Sequence, residues 1–442
     1  MTAQPSGAMP VRIHGSNPLI GDVDVPSDKS MSHRSFMLAT LALGQSRICQ
    51  ALDAEDVAAT RNAMVALGAD IQPDGDDWLV TGLGIGNLQQ PDHVLDFGNA
   101  GTGSRLTMGL IASSPITAIF AGDASLQSRP MGRVLGPLSR MGATHMARQN
   151  GRMPLALQGT HEGLALTHDL DVASAQVKSA ILLAALNVMG RTTVIEKAPT
   201  RDHTEKMLEG AGVVLEYGTH EDRPMVSLLG PQQPKARDWT IPADPSSAAF
   251  PMVAALLVPG SDIIIHNVMM NPHRTGLITT LLEMGANITI ESERLEGERI
   301  ANLRVRHSEL HAIEVPASRA PSMIDEYPIL AVAAAHAQGE TVMRGLEELR
   351  VKESDRLQIV HDHFVQAGVH ARIEGDDLCV TGGDVVGGLT VDTHLDHRMA
   401  MSFFVLGMTA QQAVTIDDMR TAETSFPGFA KLMGRLGAQV ST

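Results

Sequence analysis

The stretch V-P-S-D-K-S-M-S-H-R-S, Val25–Ser35, runs directly into F-M-L-A-T-L-A-L, Phe36–Leu43. A polar, basic opening feeds an almost unbroken apolar segment. Ser27 or Asp28 can cap a helix here, and Gly44 can close it. Such a helix start gathers free backbone N–H groups, a partial positive charge and the cations Lys29 and Arg34 at one point, with the Ser30 hydroxyl among them. That combination suits a phosphate or a carboxylate. The plain alternative is a capped core helix whose basic side chains reach back to water. Repetition separates the two readings.

An apolar helix opened by small or polar residues, then a β-branched strand, recurs along the chain. The copies are Ser30–Leu43 then Arg47-Ile48; Gly103–Ala112 then Ile116–Phe120; Ser174–Val188 then Thr192–Ile195; Ser246–Val258 then Ile263–Ile265; Ser322–Ala337 then Thr341–Met343; and His397–Met408 then Val414–Ile416. These helices are apolar on nearly every face and are expected to be buried. After each comes an amphipathic helix, such as His273–Met284 with Leu277, Leu281 and Leu282. It ends in a glycine and a small residue: Gly68-Ala69, Gly142-Ala143, Gly212-Val213, Gly285-Ala286, Gly368-Val369 and Gly437-Ala438. A period of roughly 70–80 residues exceeds solenoid periods, so each copy is a small fold unit. One unit reads strand, buried helix, strand, amphipathic helix, strand, strand. Six units divide into two α/β domains of three. The expected division is 25–240 for one domain and 1–24 with 241–442 for the other, the chain crossing at Val25-Pro26 and Ile241-Pro242. The strand near Val11–His14 then belongs with the C-terminal half.

Composition narrows the function classes. The chain has 442 residues, more than one ordinary core holds. Its 43% hydrophobic and 19% charged residues describe a globular protein. A net charge of -16 argues against a nucleic-acid or anionic-membrane surface. The 2 cysteines, Cys49 and Cys379, lie far apart in strand-like runs and read as buried free thiols, with no metal-ligand spacing. The N-terminus lacks a secretory pattern, and apolar runs such as Ala248–Val258 are too short to span a bilayer. A cytoplasmic protein is expected.

The residues out of place in a core gather at the starts of the buried helices. After Lys29, Ser30 and Arg34 come G-N-A-G-T-G-S-R (Gly98–Arg105), S-A-Q-V-K-S (Ser174–Ser179), P-S-M-I-D-E-Y-P with Asp325 and Glu326, and H-L-D-H-R (His394–Arg398). The glycines allow close backbone approach to an anion. The amphipathic helices add S-R-P-M-G-R (Arg129, Arg133), T-R-D-H-T-E-K (Arg201, Lys206) and R-V-K-E-S-D-R (Lys352, Glu353, Arg356). Lys352 and Arg356, four apart, are expected to share a helix face. If pseudo-symmetry brings these starts to one interdomain cleft, the result is a cationic site containing Asp325, Glu353 and Asp396. It suits two polyanionic small molecules and proton transfer between them.

Taken together and in order, D-K-S-M-S-H-R, G-N-A-G-T-G-S-R-L, S-R-P-M-G-R, S-A-Q-V-K-S, T-R-D-H-T-E, P-S-M-I-D-E-Y-P, L-R-V-K-E-S-D-R and L-D-H-R-M-A-M resemble the EPSP synthase (3-phosphoshikimate 1-carboxyvinyltransferase) family, from about Pro10 to the C-terminus. The flanking sequence looks like its class II branch. The resemblance implies the enolpyruvyl transferase fold, an inside-out α/β barrel of two domains, each with three βαβαββ units, closing over the substrates. It implies transfer of the enolpyruvyl group of phosphoenolpyruvate to the 5-hydroxyl of shikimate 3-phosphate, in the shikimate pathway to aromatic amino acids. No metal or organic cofactor is expected, nor a nucleic-acid or membrane partner, and a monomer is. By motif match, Lys29 contacts both substrates and stabilises developing charge. Ser30, Arg34, Ser174, Ala175, Gln176, Arg201, Asp325 and Lys352 fall at shikimate 3-phosphate positions. Gly101, Arg129, Gln176, Arg356 and Arg398 fall at phosphoenolpyruvate positions. Asp325 matches the acceptor of the 5-hydroxyl proton, and Glu353 the residue that protonates the methylene carbon.

Two departures stand out. Thr424, in A-E-T-S-F-P, occupies a place where many relatives carry Lys, so no phosphoenolpyruvate contact is assigned there. Leu106 replaces the Pro of plant-type members. The nearest alternative activity is that of UDP-N-acetylglucosamine 1-carboxyvinyltransferases. Their usual members carry Cys on the loop corresponding to G-D-A-S-L-Q-S-R-P, Gly122–Pro130, which has none. An inactive anion-binding homologue is the other alternative, and retention of Asp325 and Glu353 argues against it.

Overall fold

The structure, a computed structural model, describes residues 8–296 and 298–441. The chain forms two compact units. One is Ser27–Ile241; the other joins the residues up to Pro26 to those from Pro242 onward. We call them the continuous and the split unit.

Two helices recur in each copy. In the continuous unit they are α1 (Lys29–Leu41) and α2 (Glu55–Ala66), α3 (Gly101–Ala112) and α4 (Gly132–Arg140), then α5 (Ala175–Ala185) and α6 (His203–Gly210). In the split unit they are α7 (Pro245–Leu257) and α8 (Gly276–Glu283), α9 (Tyr327–Ala334) and α10 (Arg356–Gln366), then α11 (His397–Thr409) and α12 (Phe429–Leu436). The odd-numbered helices are the buried ones, and every residue of α7 and α9 is buried. Sequence accounts for both their formation and their starts. Asp28, Ser174, Asp244 and Asp396 each accept a backbone N–H of the first turn, the last step of apolar burial then holding the helix in place.

Each unit holds three four-stranded sheets of one design. An edge strand runs parallel to the strand that follows the buried helix. That strand pairs antiparallel with the last strand of the copy, which pairs antiparallel with the strand before it. The second copy shows it within one stretch of chain: Leu95–Asp96, Thr117–Ala121, Arg152–Gln158 and Thr144–Arg148, in spatial order. Three copies borrow strands. Trp239–Thr240 supplies the edge of the first sheet, parallel to Leu43–Cys49. In the split unit, Ile20–Val23 lies parallel to Asp262–Met269. Val11–Ser16 lies inside the last sheet, antiparallel to both Val414–Ile416 and Ala438–Ser441.

The glycine signals mark one device. At Gly68, Gly142, Gly212, Gly285 and Gly368, φ lies between 79° and 110°. In each case the glycine N–H bonds the carbonyl three residues back, and the next N–H bonds the carbonyl five back. This left-handed closure turns the chain from amphipathic helix into strand.

Some expected boundaries differ. Gly44 does not close α1; the helix ends at Leu41, and Ala42 is already extended (φ -76°, ψ 156°), leading into the strand Leu43–Cys49. The expected helix Ser322–Ala337 is broken into Ala320–Met323 and α9, with Asp325 and Glu326 in the turn between. Pro328 has no N–H for the Ile324 carbonyl, so the ladder fails there. α8 starts at Gly276 rather than His273, because Asn271 turns the chain first: its side chain accepts from the His273 N–H at 2.9 Å. Leu277 and Leu281 are buried in it, whereas Leu282 is exposed. Cys379 is buried, but Cys49 is only half-buried at its strand end; burial and a bond to Asp77 push its thiol up to about 11. No helix among the described residues is long and apolar enough to cross a membrane.

Candidate active site

In the continuous unit the candidate residues occupy the starts of α1, α3 and α5 and the segments leading into α4 and α6. Asp28 caps α1 by accepting from Met31 N at 2.7 Å, which leaves Lys29 as the first helical residue. Lys29 pairs with Asp56 in the first turn of α2. Arg34, one turn on, is buried. Its Nε donates to Thr204 Oγ1 at 2.6 Å, its Nη1 to the Ser30 carbonyl at 2.9 Å and its Nη2 to Ser179 Oγ at 3.0 Å. This one guanidinium therefore joins α1, α5 and α6. Behind it His33 is fully buried, bonded through Nδ1 to Thr60 Oγ1 at 2.7 Å. Burial, with Lys29 nearby, lowers its pKa to about 3 and keeps it neutral.

At the start of α3, a Cβ on Gly101 would lie 3.1 Å from Arg129 Nη1 and 3.5 Å from Arg105 Nη1. Arg129 is held against the loop, its Nη2 donating to Asn99 Oδ1 at 2.5 Å and Ser125 Oγ at 3.0 Å. Gln176, in the first turn of α5, accepts from Arg105 Nη1 at 2.6 Å and donates to Thr102 Oγ1 at 2.9 Å. Ser174 is spent as the cap of α5 and Ala175 is its first residue. Arg201 lies on the loop before α6, half-buried. Gly103 faces Thr60 so closely that a Cβ would lie 2.1 Å from its hydroxyl.

In the split unit the candidates surround one guanidinium. Arg356 is 1% exposed and is the first residue of α10. Its Nε lies 2.8 Å from Asp396 Oδ2, its Nη2 2.6 Å from Glu353 Oε2 and 3.2 Å from Asp396 Oδ1, and its Nη1 3.3 Å from Asp325 Oδ1. Lys352 Nζ adds a second cation 3.7 Å from Asp325 Oδ1. Burial opposes the arginine's charge, yet the three carboxylates raise its pKa. Burial likewise disfavours the charge of Asp396, but Arg356 holds its pKa below the usual carboxylate value. Four of the five guanidinium N–H groups are engaged by these carboxylates. Arg398, next to the α11 cap, is different. Its backbone N–H bonds Asp396 Oδ1 at 2.9 Å, while its half-buried guanidinium has no partner among the described residues.

Lys352 and Arg356 do not share a helix face. Lys352 closes a short 3-10 turn (Glu347–Val351) with ψ -149°, and Asp355 caps α10 by accepting from Gln358 N at 3.0 Å. The two cations meet at Asp325 through this bend instead. The candidates thus form two groups. One, in the continuous unit, is cationic and rich in backbone N–H donors; the other, in the split unit, joins three acids to an arginine. Among the participants with no role assigned from sequence are Asp56, Arg105 and Thr204. Arg105 was visible as the end of the glycine motif. For Asp56 the signal is the charged residue that the repeat places near the start of amphipathic helices, here of opposite sign. Nothing local marks Thr204. Among the described residues, no cluster of His, Cys, Asp and Glu is arranged to hold a metal.

Comparison with known proteins adds to this geometry. The family model for EPSP synthase (3-phosphoshikimate 1-carboxyvinyltransferase) matches residues 13–433. A 3-phosphoshikimate 1-carboxyvinyltransferase of Methylorubrum populi is 54% identical over 98% of this chain and 98% of its own length. One from Parvibaculum lavamentivorans is 53% identical over 99% and 96%. The solved structure of an EPSP synthase from Acinetobacter baumannii has TM-score 0.87 at 39% identity, covering 98% of this chain and all of that one. The enolpyruvyl transferase NikO of Streptomyces tendae, at 18% identity, TM-score 0.76 and 98% and 99% coverage, shares the fold.

Proposed function

The chain belongs to the EPSP synthase family, and from that premise we propose how its residues carry the family's reaction. The activity is transfer of the enolpyruvyl group of phosphoenolpyruvate to the 5-hydroxyl of shikimate 3-phosphate, with release of phosphate. Both substrates are polyanions, and the two groups of residues act on one substrate pair. Lys29, Ser30, Arg34, Ser174, Ala175, Gln176, Arg201 and Asp325 hold shikimate 3-phosphate, with Lys352 on its ring. Lys29, Gly101, Arg129, Gln176, Arg356 and Arg398 hold phosphoenolpyruvate. Glu353 delivers a proton to C3 of phosphoenolpyruvate. The 5-hydroxyl oxygen bonds to C2 as its proton passes to Asp325. From the tetrahedral adduct the C2–O bond to phosphate breaks, C3 loses a proton, and the enol ether double bond re-forms. Lys29 and the arginines stabilise charge that shifts toward the phosphate.

The observation that carries this reading is the sharing of Arg356 by Asp325 and Glu353, at 3.3 and 2.6 Å. Two carboxylates on one buried cation sit in fixed relation, as a paired acid and base must. The reading extends to a cytoplasmic monomer. The test is release of phosphate from phosphoenolpyruvate with shikimate 3-phosphate, against the same assay with UDP-N-acetylglucosamine, with mass spectrometry of the product. Turnover with shikimate 3-phosphate alone is expected; turnover only with the nucleotide sugar would sink the proposal.

A further inference from the structure

Lys178 lies in the second turn of α5 and is 1% exposed. A cation there opposes the helix dipole, and burial adds a desolvation cost that an apolar residue of similar size avoids. Its surroundings give the reason for it. Nζ lies 2.9 Å from Glu196 Oε1 and 2.6 Å from Glu205 Oε1, both buried. Burial works against the ammonium, yet the two carboxylates raise its pKa and keep it charged. Glu196 follows the strand Gly190–Ile195, and Glu205 lies in the first turn of α6. The loop between these two acids carries Arg201. Thr200, next to Arg201, donates its hydroxyl to the second oxygen of Glu196. The neighbouring residues repeat the link: Thr204 donates to Ser179 Oγ at 2.7 Å, and both hydroxyls accept from Arg34.

We propose that Lys178 is a positioning residue for shikimate 3-phosphate: through Glu196, Glu205 and Thr200 it clamps the Arg201 loop onto α5 and hence onto Ser174–Gln176. The inference rests on the function proposed above, and no substrate contact is assigned to Lys178 itself. Its consequence is selective. Freeing the loop displaces Arg201 from α5, whereas Gly101, Arg129, Arg356 and Arg398 lie outside the clamp and Gln176, shared by both substrates, keeps its own bonds to Arg105 and Thr102. The first test is Thr200→Val in the full-length protein, which removes one hydroxyl at nearly constant shape. We expect the KM for shikimate 3-phosphate to rise about tenfold, with the KM for phosphoenolpyruvate changed less than about twofold, since a bond to a charged partner is lost on one side only. Thr200→Ser should restore the wild-type value. The second variant, Lys178→Met with Glu196→Gln and Glu205→Gln, removes the clamp without stranding a charge, and should show the same split. A folded variant of either kind with unchanged KM for shikimate 3-phosphate, or with both KM values raised together, overturns the proposal. Calorimetric binding of shikimate 3-phosphate to wild type and Thr200→Val makes the same comparison without turnover, so failure of the clamp and failure of the assigned activity are read separately.

Discussion

At Asp325 one carboxylate faces two cations, Arg356 at 3.3 Å and Lys352 at 3.7 Å. The two cations hold the carboxylate in place. Asp325→Ala should therefore lower kcat roughly 100- to 10,000-fold, the range for loss of general-base assistance, with a far smaller change in affinity for shikimate 3-phosphate. Steady-state kinetics with a binding isotherm checks this; near-normal turnover would assign the base elsewhere. A second residue-scale prediction concerns glyphosate, a herbicide that competes with phosphoenolpyruvate in this family. A methyl on Gly101 would come within 3.1 Å of Arg129 Nη1, so the guanidinium must shift. Glyphosate is longer than phosphoenolpyruvate, so on the proposed assignment of Gly101 it is the ligand expected to need that space. Overpacking by one methyl typically costs about 1–3 kcal/mol, so Gly101→Ala should raise the glyphosate inhibition constant about 5- to 150-fold with a smaller rise in the KM for phosphoenolpyruvate. Equal inhibition constants for the two forms would show that the methyl does not separate the ligands. At this scale the candidates that the sequence offers sit in dense local motifs, such as Lys29, Arg34, Asp325 and Glu353. It hid those whose importance lies in a distant partner. Asp56 meets Lys29, and Thr204 meets Arg34, only after the helices pack. A spacing of four implies one helical turn between Lys352 and Arg356, whereas Asp355 caps a new helix between them.

Among the elements, the repeat was legible because burial imposes a period on composition, while its boundaries were not, because small geometric events set them. One such event recurs without a visible sequence flag. Where the last strand of a copy passes the end of its buried helix, a glycine meets backbone. A Cβ would lie 2.1 Å from the Ala39 carbonyl at Gly82, 1.9 Å from that of Ile111 at Gly159, 2.4 Å from that of Ala185 at Gly230 and 1.7 Å from that of Ala337 at Gly382. The flanking amides explain the closeness. Gly159 N–H bonds the Ile116 carbonyl at 3.0 Å, and Thr160 N–H bonds the Ala112 carbonyl at 3.1 Å, stitching strand to helix end. Backbone on both sides leaves no flexible atom to yield. Gly159→Ala should thus destabilise the continuous unit by about 3 kcal/mol or more. Gly434→Ala offers the opposite case. That residue lies within α12, and a Cβ there meets nothing nearer than Val440 at 4.0 Å. Helix propensity predicts a gain of up to about 1 kcal/mol. Urea unfolding of both variants compares one chemical change in two settings. Losses of equal size would mean that steric approach at Gly159 is not what matters.

For the molecule as a whole, the path of the chain makes the two units unequal in their independence. The continuous unit completes its own sheets. Its first sheet takes an edge strand from Trp239–Thr240, at the far end of the same unit. The split unit cannot do this from the residues after Pro242. Val11–Ser16 is an interior strand of its last sheet, paired on both sides, and Ile20–Val23 is the edge of another. Val11, Ile13, Leu19 and Val23 also belong to its buried core. Removing them strips Ala438–Ser441 of its partner strand and exposes apolar surface at about 25 cal/mol per Å², a loss that a margin of about 5–15 kcal/mol does not absorb. Ser27–Ile241 expressed alone should fold and unfold cooperatively in urea. Pro242–Thr442 alone should lack a cooperative transition and regain it when residues 8–26 are fused through a linker to its C-terminus, after Ala438–Ser441. Circular dichroism and urea titration of the three polypeptides decide the matter. A cooperative transition in the 242–442 fragment without the N-terminal strands would mean that the interior position of Val11–Ser16 is dispensable, and that the split unit's stability lies in its helices alone.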